Sequence, residues 1–284
     1  MTNIRKFRLG QASITVINTG DLQLKMADWL KVSPEVWSQF YPIDLYNEPL
    51  HLPTQCIHIK IGRTSILIDA NVYDVSADSS YAIPNYQPPL DLIASLIESG
   101  IRPEDVTHVI ITHAHFDHYN GTTTQRNGIL VPKFANALYY LGRADWDDPD
   151  TQTALKEKGS LQHRTLGVLH DHAVLELVEG DRDLIEGVSI IAAPGESPGH
   201  QIVRVHSDDQ TLYCVGDLYH HPAEAEHPTW HANWADAESI LASRDAFTSR
   251  ALAENAIVIA THIPSIGRLQ QTPSGVNWIE AEMT

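Results

Sequence analysis

The chain has 284 residues, 43% of them hydrophobic, enough to bury a sizeable core in one large α/β domain or two small ones. Its 36 acidic residues against 19 basic ones give a formal net charge of −17, a field that repels polyphosphates, so no nucleic-acid partner is expected. No apolar run approaches the ~20 residues of a helical membrane span, and no membrane role is expected either.

The first residues carry positive charge without the continuous apolar stretch of a signal peptide. Ile14, Val16 and Ile17 instead predict a strand ending in a Gly20-Asp21 turn. Residues 21–54 hold Met26, Trp29, Leu30, Val32, Trp37, Phe40 and Tyr41 without clean periodicity. We read them as an N-terminal arm that packs over its own domain or forms a contact surface in a homodimer. Strands over 55–61 and 65–69 flank Gly62-Arg63-Thr64 and predict a hairpin. Leu90, Leu92, Ile93, Leu96 and Ile97 recur at helical spacing after two prolines, and Gly100 supplies a stop. Val109-Ile110-Ile111 is a short buried strand that ends at Thr112. Further strands are expected over 172–178, 187–193, 201–206, 211–215 and 256–260. Asp236 is the expected N-cap of a helix with Ile240, Leu241, Ala246 and Phe247 on its apolar side. Cys56 and Cys214 lie in apolar runs, too few for a disulfide framework. Buried free thiols in a reducing compartment make the cytoplasm the default location. No sharp linker appears, so residues 1–284 are read as a single α/β domain of two packed sheets with helices outside them.

The informative stretch is Thr112-His113-Ala114-His115-Phe116-Asp117-His118. In extended chain, residues two apart face the same way, so His113 and His115 can hold one ion together. A turn at Asp117 then brings Asp117 and His118 towards a second ion. Imidazoles and carboxylates suit zinc and similar divalent metals.

This run resembles the H-x-H-x-D-H signature of metallo-β-lactamase fold hydrolases, and the order of elements agrees across nearly the whole chain. The resemblance implies an αββα sandwich with the site between the sheet edges. The family's third histidine of the first site, in a Pro-Gly-His turn, is matched by His200 in Pro198-Gly199-His200. Its bridging carboxylate is matched by Asp217 in Gly216-Asp217, and its final histidine by His262 in Ala260-Thr261-His262. By resemblance, His113, His115 and His200 hold one ion, Asp117, His118 and His262 hold the other, and Asp217 bridges. Glu196 stands where many relatives carry an additional histidine that is not a ligand. Two-zinc β-lactamases have a cysteine at the position of Asp217 and flavodiiron proteins a glutamate at that of His115, so neither pattern fits. The arm and the Gly-Asp-x-x-His-His-Pro run look most like the N-acyl homoserine lactonase and methyl parathion hydrolase group.

The resemblance implies two divalent ions, foremost Zn2+, with Mn, Fe or Co as alternatives. Ions about 3.5–4 Å apart share a water and present it as hydroxide. Asp217 would fix their spacing, and Asp117 would both ligate and receive a proton. Lactonases of the family carry a tyrosine three residues after the bridging aspartate, where this chain has His220. Tyr219 stands one position early, and both are candidates to meet substrate. Trp29, Trp37, Trp230 and Trp234 are candidate pocket aromatics, although Trp230, His231 and Trp234 before a helix also suit a packing role. His163, His170 and His172 match no ligand position and are read as surface residues. The expected substrate is small, neutral and partly apolar: a lactone or ester, with a phosphotriester second. An iron persulfide dioxygenase with one metal is the reading from another class.

Overall fold

The computed structural model describes residues 3–273, 275–281 and 283. The first half supplies β1 (Ile4–Leu9), β2 (Ala12–Lys25), β3 (Pro49–Ile61), β4 (Thr64–Ile68) and β5 (His108–Ile110). A small hairpin of β6 (Thr123–Arg126) and β7 (Ile129–Pro132) stands apart. Two more strands, β8 (Leu138–Gly142) and β9 (Leu175–Val178), complete a seven-stranded sheet in the order β1-β2-β3-β4-β5-β8-β9. The second half builds another seven-stranded sheet in sequence order. Its strands are β10 (Arg182–Ile185), β11 (Val188–Ala192), β12 (Gln201–Ser207), β13 (Gln210–Cys214), β14 (Ile257–Ile259), β15 (Gly267–Thr272) and β16 (Gly275–Glu280). Both sheets are antiparallel at one side and turn parallel where a helical crossover intervenes, at β4–β5 in the first and β13–β14 in the second.

Alternation along the strands sets the layers. Ile57, Ile59, Ile66, Ile68 and Ile110 face Val203, Val205, Leu212, Cys214, Ile257 and Ile259 between the sheets. Their neighbours Cys56, Leu67, Val109 and Ile111 point the other way, onto Leu92, Leu96, Leu166 and Leu169 of the outer helices. On the far side Ile202, Tyr213, Val215 and Val258 meet Ile240, Phe247 and Ala251 of the helix Ala237–Ala253. Strands buried on both faces read as continuous apolar runs, as these do. The result is the αββα sandwich. No helix of the described residues is long and apolar enough to cross a membrane. Cys56 and Cys214 are buried free cysteines.

Three elements depart from expectation. No turn forms at Gly20-Asp21; β2 runs through it to Lys25, with a bulge against β3 between Asn18 and Asp21. Asn18 holds the bulge by accepting from Gly20 N (3.1 Å) and donating to Asp21 Oδ1 (2.9 Å). A Cβ at Gly20 would lie 2.4 Å from the Tyr73 ring. The strand expected from 172 begins only at Leu175, because a helix ends at Asp171 and Ala173 turns at φ +55°. In the helix Ala237–Ala253, Leu241 and Ala246 are exposed, and the buried stripe is Ile240, Arg244, Phe247 and Ala251. Arg244 occupies the interior because its guanidinium is satisfied there, by Leu218 O (2.8 Å) and Glu224 Oε1 (2.6 Å). Asp236 caps this helix, accepting from Ser239 N at 2.9 Å.

Residues 21–54 comprise the end of β2, three short helices and the start of β3. Met26, Trp29, Leu30, Trp37 and Tyr46 pack on Ala223, Trp230 and Ala232 of the same chain. Backbone bonds from Lys31 N to His231 O and from Asn233 N to Trp29 O, both 2.8 Å, lock the two segments together.

Candidate metal centre

The site lies where the chain leaves β4, β5, β11, β13 and β14, at one end of the sandwich. Asp69 follows β4 in the left-handed region (φ +57°) and is fully buried. Its carboxylate accepts from Thr112 N (2.8 Å), Thr112 Oγ1 (3.0 Å) and His118 Nδ1 (2.8 Å), pinning the start of the histidine run. Asp145 does similar work between loops. It accepts from Ala114 N (2.7 Å), Ser197 Oγ (2.9 Å) and Gly199 N (2.6 Å), tying the His113–His118 loop to the turn that carries Glu196 and His200. Gly216 has φ +53°, and a Cβ there would meet His200 Nε2 at 2.8 Å and Thr112 at 2.9 Å, so only glycine fits beside Asp217.

Two groups of donor atoms result: His113, His115, Glu196 and Asp217 in one, Asp117, His118 and His262 in the other. Donors held about 2.0–2.1 Å from one tetrahedral ion stand roughly 3.3 Å from each other. In the second group His262 Nε2 lies 3.3 Å from Asp117 Oδ2, and Asp217 Oδ2 lies 3.2 Å from both His262 Nε2 and His118 Nε2. In the first, His115 Nδ1 lies 2.8 Å from His113 Nε2 and 3.3 Å from Glu196 Oε1, and His113 Nε2 is 3.7 Å from Asp217 Oδ2. Asp217 Oδ2 thus touches both groups, while its buried Oδ1 has no hydrogen-bond partner among the described residues.

The imidazoles are oriented for ligation. His118 donates from Nδ1 to Asp69, His200 from Nδ1 to Ala193 O (2.9 Å) and His262 from Nδ1 to Pro53 O (2.9 Å), and His113 Nδ1 lies 3.1 Å from Thr112 Oγ1. Anchoring Nδ1 in this way turns Nε2 of His113, His118 and His262 towards the centre. Such a donor set fits two divalent cations. His200 stands slightly behind, its ring 5.1 Å from His113 and its Nε2 accepting the Asp217 backbone N–H at 3.2 Å.

Burial drives the imidazoles of His113 and His200 well below the usual range, His200 to about 4, so both are neutral. Burial also opposes charge on His118 and His262, but the carboxylates win: Asp217 with Asp69 and Asp117 raises His118, and Asp217 with Asp117 raises His262 to about 9. Asp217 is itself held far below the usual carboxylate range: burial opposes its ionisation, but His262, His118 and His220 outweigh it.

His220 is buried on the cleft wall, with Nε2 3.4 Å from Asp217 Oδ2 and 3.5 Å from Glu196 Oε1. Tyr219 is turned away from the site. Its hydroxyl meets Thr248 Oγ1 (3.2 Å) and its ring packs between Arg244, Phe247 and Trp278, beyond the turn at Gly216-Asp217. A cleft of about 340 Å³ opens onto the ligands, lined by Leu22, Leu24, Leu52, Tyr81, Phe116 and Trp234 among others. Of the four candidate tryptophans only Trp234 lines it. Trp29 lies tilted behind His220 with ring centroids 5.1 Å apart, and Trp37 of the arm packs on Trp230. A larger cleft of about 570 Å³ runs behind the Pro198–His200 turn, but of the candidate metal ligands only His200 borders it. His170 and His172 are exposed, and His163 is half-buried with Nδ1 3.0 Å from Leu155 O; none of the three belongs to either group of donor atoms. Glu224 holds the cleft wall by accepting from His220 N (2.5 Å) and His221 N (3.0 Å). Sequence reading missed Asp69, Asp145 and Glu224, whose only local signal is a carboxylate just past an apolar run or inside a short acidic helix.

Residues 52–262 match the metallo-beta-lactamase superfamily, and the chain belongs to that family. It is similar to an N-acyl homoserine lactonase of Bacillus cereus, 25% identical over 176 residues, which cover 58% of this chain and 63% of that protein. A lactonase of the same description from Bacillus thuringiensis is 24% identical over 169 residues, 56% of this chain and 60% of the relative. The match thus spans about three-fifths of the length of these curated relatives. The fold superposes on a solved hydrolase of the beta lactamase superfamily, AbOPH, with TM-score 0.79 and 20% identity over 100% of this chain and 99% of that one. It also superposes on AidC, a dizinc quorum-quenching lactonase in complex with a product, with TM-score 0.76 and 19% identity, covering 99% and 98%.

Proposed function

We propose that this chain is a binuclear metal-dependent hydrolase that opens a lactone or cleaves an ester bearing an apolar tail. The observation that carries it is a pair of ligand groups sharing Asp217 at the floor of a cleft walled by Leu22, Leu24, Leu52 and Tyr81. The similarity to N-acyl homoserine lactonases supports the same reading. The two groups would hold two divalent ions, Zn2+ foremost, which would supply Lewis acidity to activate water and polarise the substrate carbonyl. Asp217 keeps the two groups in register through Oδ2. Asp117 lines the cleft, and its Oδ1, the oxygen not engaged by His262, receives the proton of the attacking water. His220 steadies the substrate oxygen from the wall, where relatives use a phenol, and the apolar wall takes the acyl tail and excludes water.

His220 in place of that phenol favours a phosphotriester as the second substrate class. The convergence of Asp117, His118 and His262 favours two ions over the single iron of a dioxygenase. The test is kcat/KM for acyl lactones, aryl esters, thioesters and aryl phosphotriesters on one preparation of known metal content. Lactones and esters are expected to lead. A phosphotriester lead of tenfold or more, ~1.4 kcal/mol in transition-state binding, replaces the lactonase reading with the phosphotriesterase one.

A further inference from the structure

Glu196 is the residue the family pattern leaves without a role. Its side chain is 1% exposed, and no Lys or Arg pairs with it among the described residues. Its charged neighbours are all groups of the centre: His115 Nδ1 at 3.3 Å and His220 Nε2 at 3.5 Å from Oε1. Trp234 Nε1 donates to the same Oε1 at 2.6 Å. The carboxylate is thereby held with an oxygen within 4.8 Å of donor atoms on His113, His115 and Asp217. Ligating carboxylates are commonly fixed by such a second hydrogen bond.

We infer that Glu196 is itself a ligand of the first ion, a carboxylate added to the donors that the resemblance implies for that ion. The inference rests on the two-ion reading proposed above. Its geometry is that of a ligand and not of a bystander, since the edge from Oε1 to His115 Nδ1 matches the spacing of donors around one small ion. His200, the third histidine of that set, has its Nε2 taken up by the Asp217 backbone. Glu196 fills the corner of the first group that faces the cleft. The chemistry of the first site changes accordingly. Two carboxylates beside the imidazoles make it harder and richer in oxygen, so it accepts Mn2+, Fe2+ or Co2+ more readily than an all-imidazole site does. A further negative charge also offsets part of the charge of the two cations, which disfavours anionic substrates and weakens the hold on an acidic product.

The test is Glu196→Gln against wild type, both stripped and reloaded with Co2+, read by the ligand-field absorption bands and by chelator competition for each ion. The expected result is a changed band pattern, with affinity at one ion reduced at least about tenfold and the other ion little affected. Superimposable bands overturn the inference, whether or not affinity falls, because a residue that only supports other ligands leaves the donor set intact. Should wild type hold one ion per chain, the two-ion reading fails. The bands of that single ion then still decide whether Glu196 ligates it. If Glu196→Gln does not fold, Glu196→Asp, which keeps the charge and withdraws the oxygen, carries the same spectroscopic readout.

Discussion

Asp69 makes three hydrogen bonds from a backbone conformation that side-chain-bearing residues seldom adopt, and one of them goes to His118 Nδ1. A carboxylate behind a ligating imidazole raises its basicity and fixes its ring. Asp69→Asn is therefore expected to weaken the ion held by Asp117, His118 and His262 by about 10–100-fold and to spare the other. Equal retention of both ions in chelator competition would remove Asp69 from this role. Protons are the second prediction at this scale. His262 in the metal-free protein is raised to about 9, against the pull of burial, by Asp217 and Asp117. Ligation needs the neutral ring, so below that pH an incoming ion must displace a proton. Metal affinity should rise with pH through neutrality towards about 9, and binding at pH 7 should release protons. Calorimetry in two buffers of different ionisation enthalpy measures this; identical heats would refute it.

Among the elements, the end of β2 and the start of β3 supply Leu22, Leu24 and Leu52 to the cleft, yet no ligand. Leu24 is half-buried at the margin of the cluster under the arm, so its truncation removes only peripheral packing. Leu24→Ala should cost about 1 kcal/mol, roughly fivefold in kcat/KM, for long-tailed acyl lactones and little for short ones. An equal loss at every tail length would show that the wall does not meet the tail. Why some of this was legible and some was not follows from sequence distance. His113 to His118 form a local pattern whose spacing alone brings donors together, and the buried strands announce themselves as apolar runs. Asp69 meets its partners 43 and 49 residues away and Asp145 its partners 31 to 54 away, so nothing local marks either carboxylate. Gly20-Asp21 read as a turn because turns and bulges draw on the same residues. Arg244 was invisible as core, since an arginine is buried only where distant carbonyls and Glu224 receive it. Tyr219 and His220 are neighbours, and only the direction in which the chain leaves β13 decides which one faces the cleft.

At the scale of the molecule, the centre draws His113, His115, Asp117 and His118 from the first sheet's connections and Glu196, His200, Asp217 and His262 from the second's. Cations held there bind the folded chain and not the unfolded one, so their removal lowers stability by RT ln(1 + [L]/Kd), about 2.7 kcal/mol at a hundredfold excess over Kd. Chelation should accordingly lower Tm by several degrees and should leave secondary structure near room temperature intact, because the core between the sheets contains no ligand. A Tm unchanged by chelation would mean that no ion is held.

The Asp145 clamp has a consequence for how the site varies over time. One buried carboxylate grips the loop of the first half at Ala114 and the turn of the second at Ser197 and Gly199. The two loops therefore keep a common frame. The leucine wall is not gripped by Asp145, and its own tie to the centre is the backbone of Pro53 beside Leu52, which accepts from His262 Nδ1. Side chains of β2 and β3 that line the cleft can thus change without disturbing the clamp, which is made by a residue outside both groups of donor atoms.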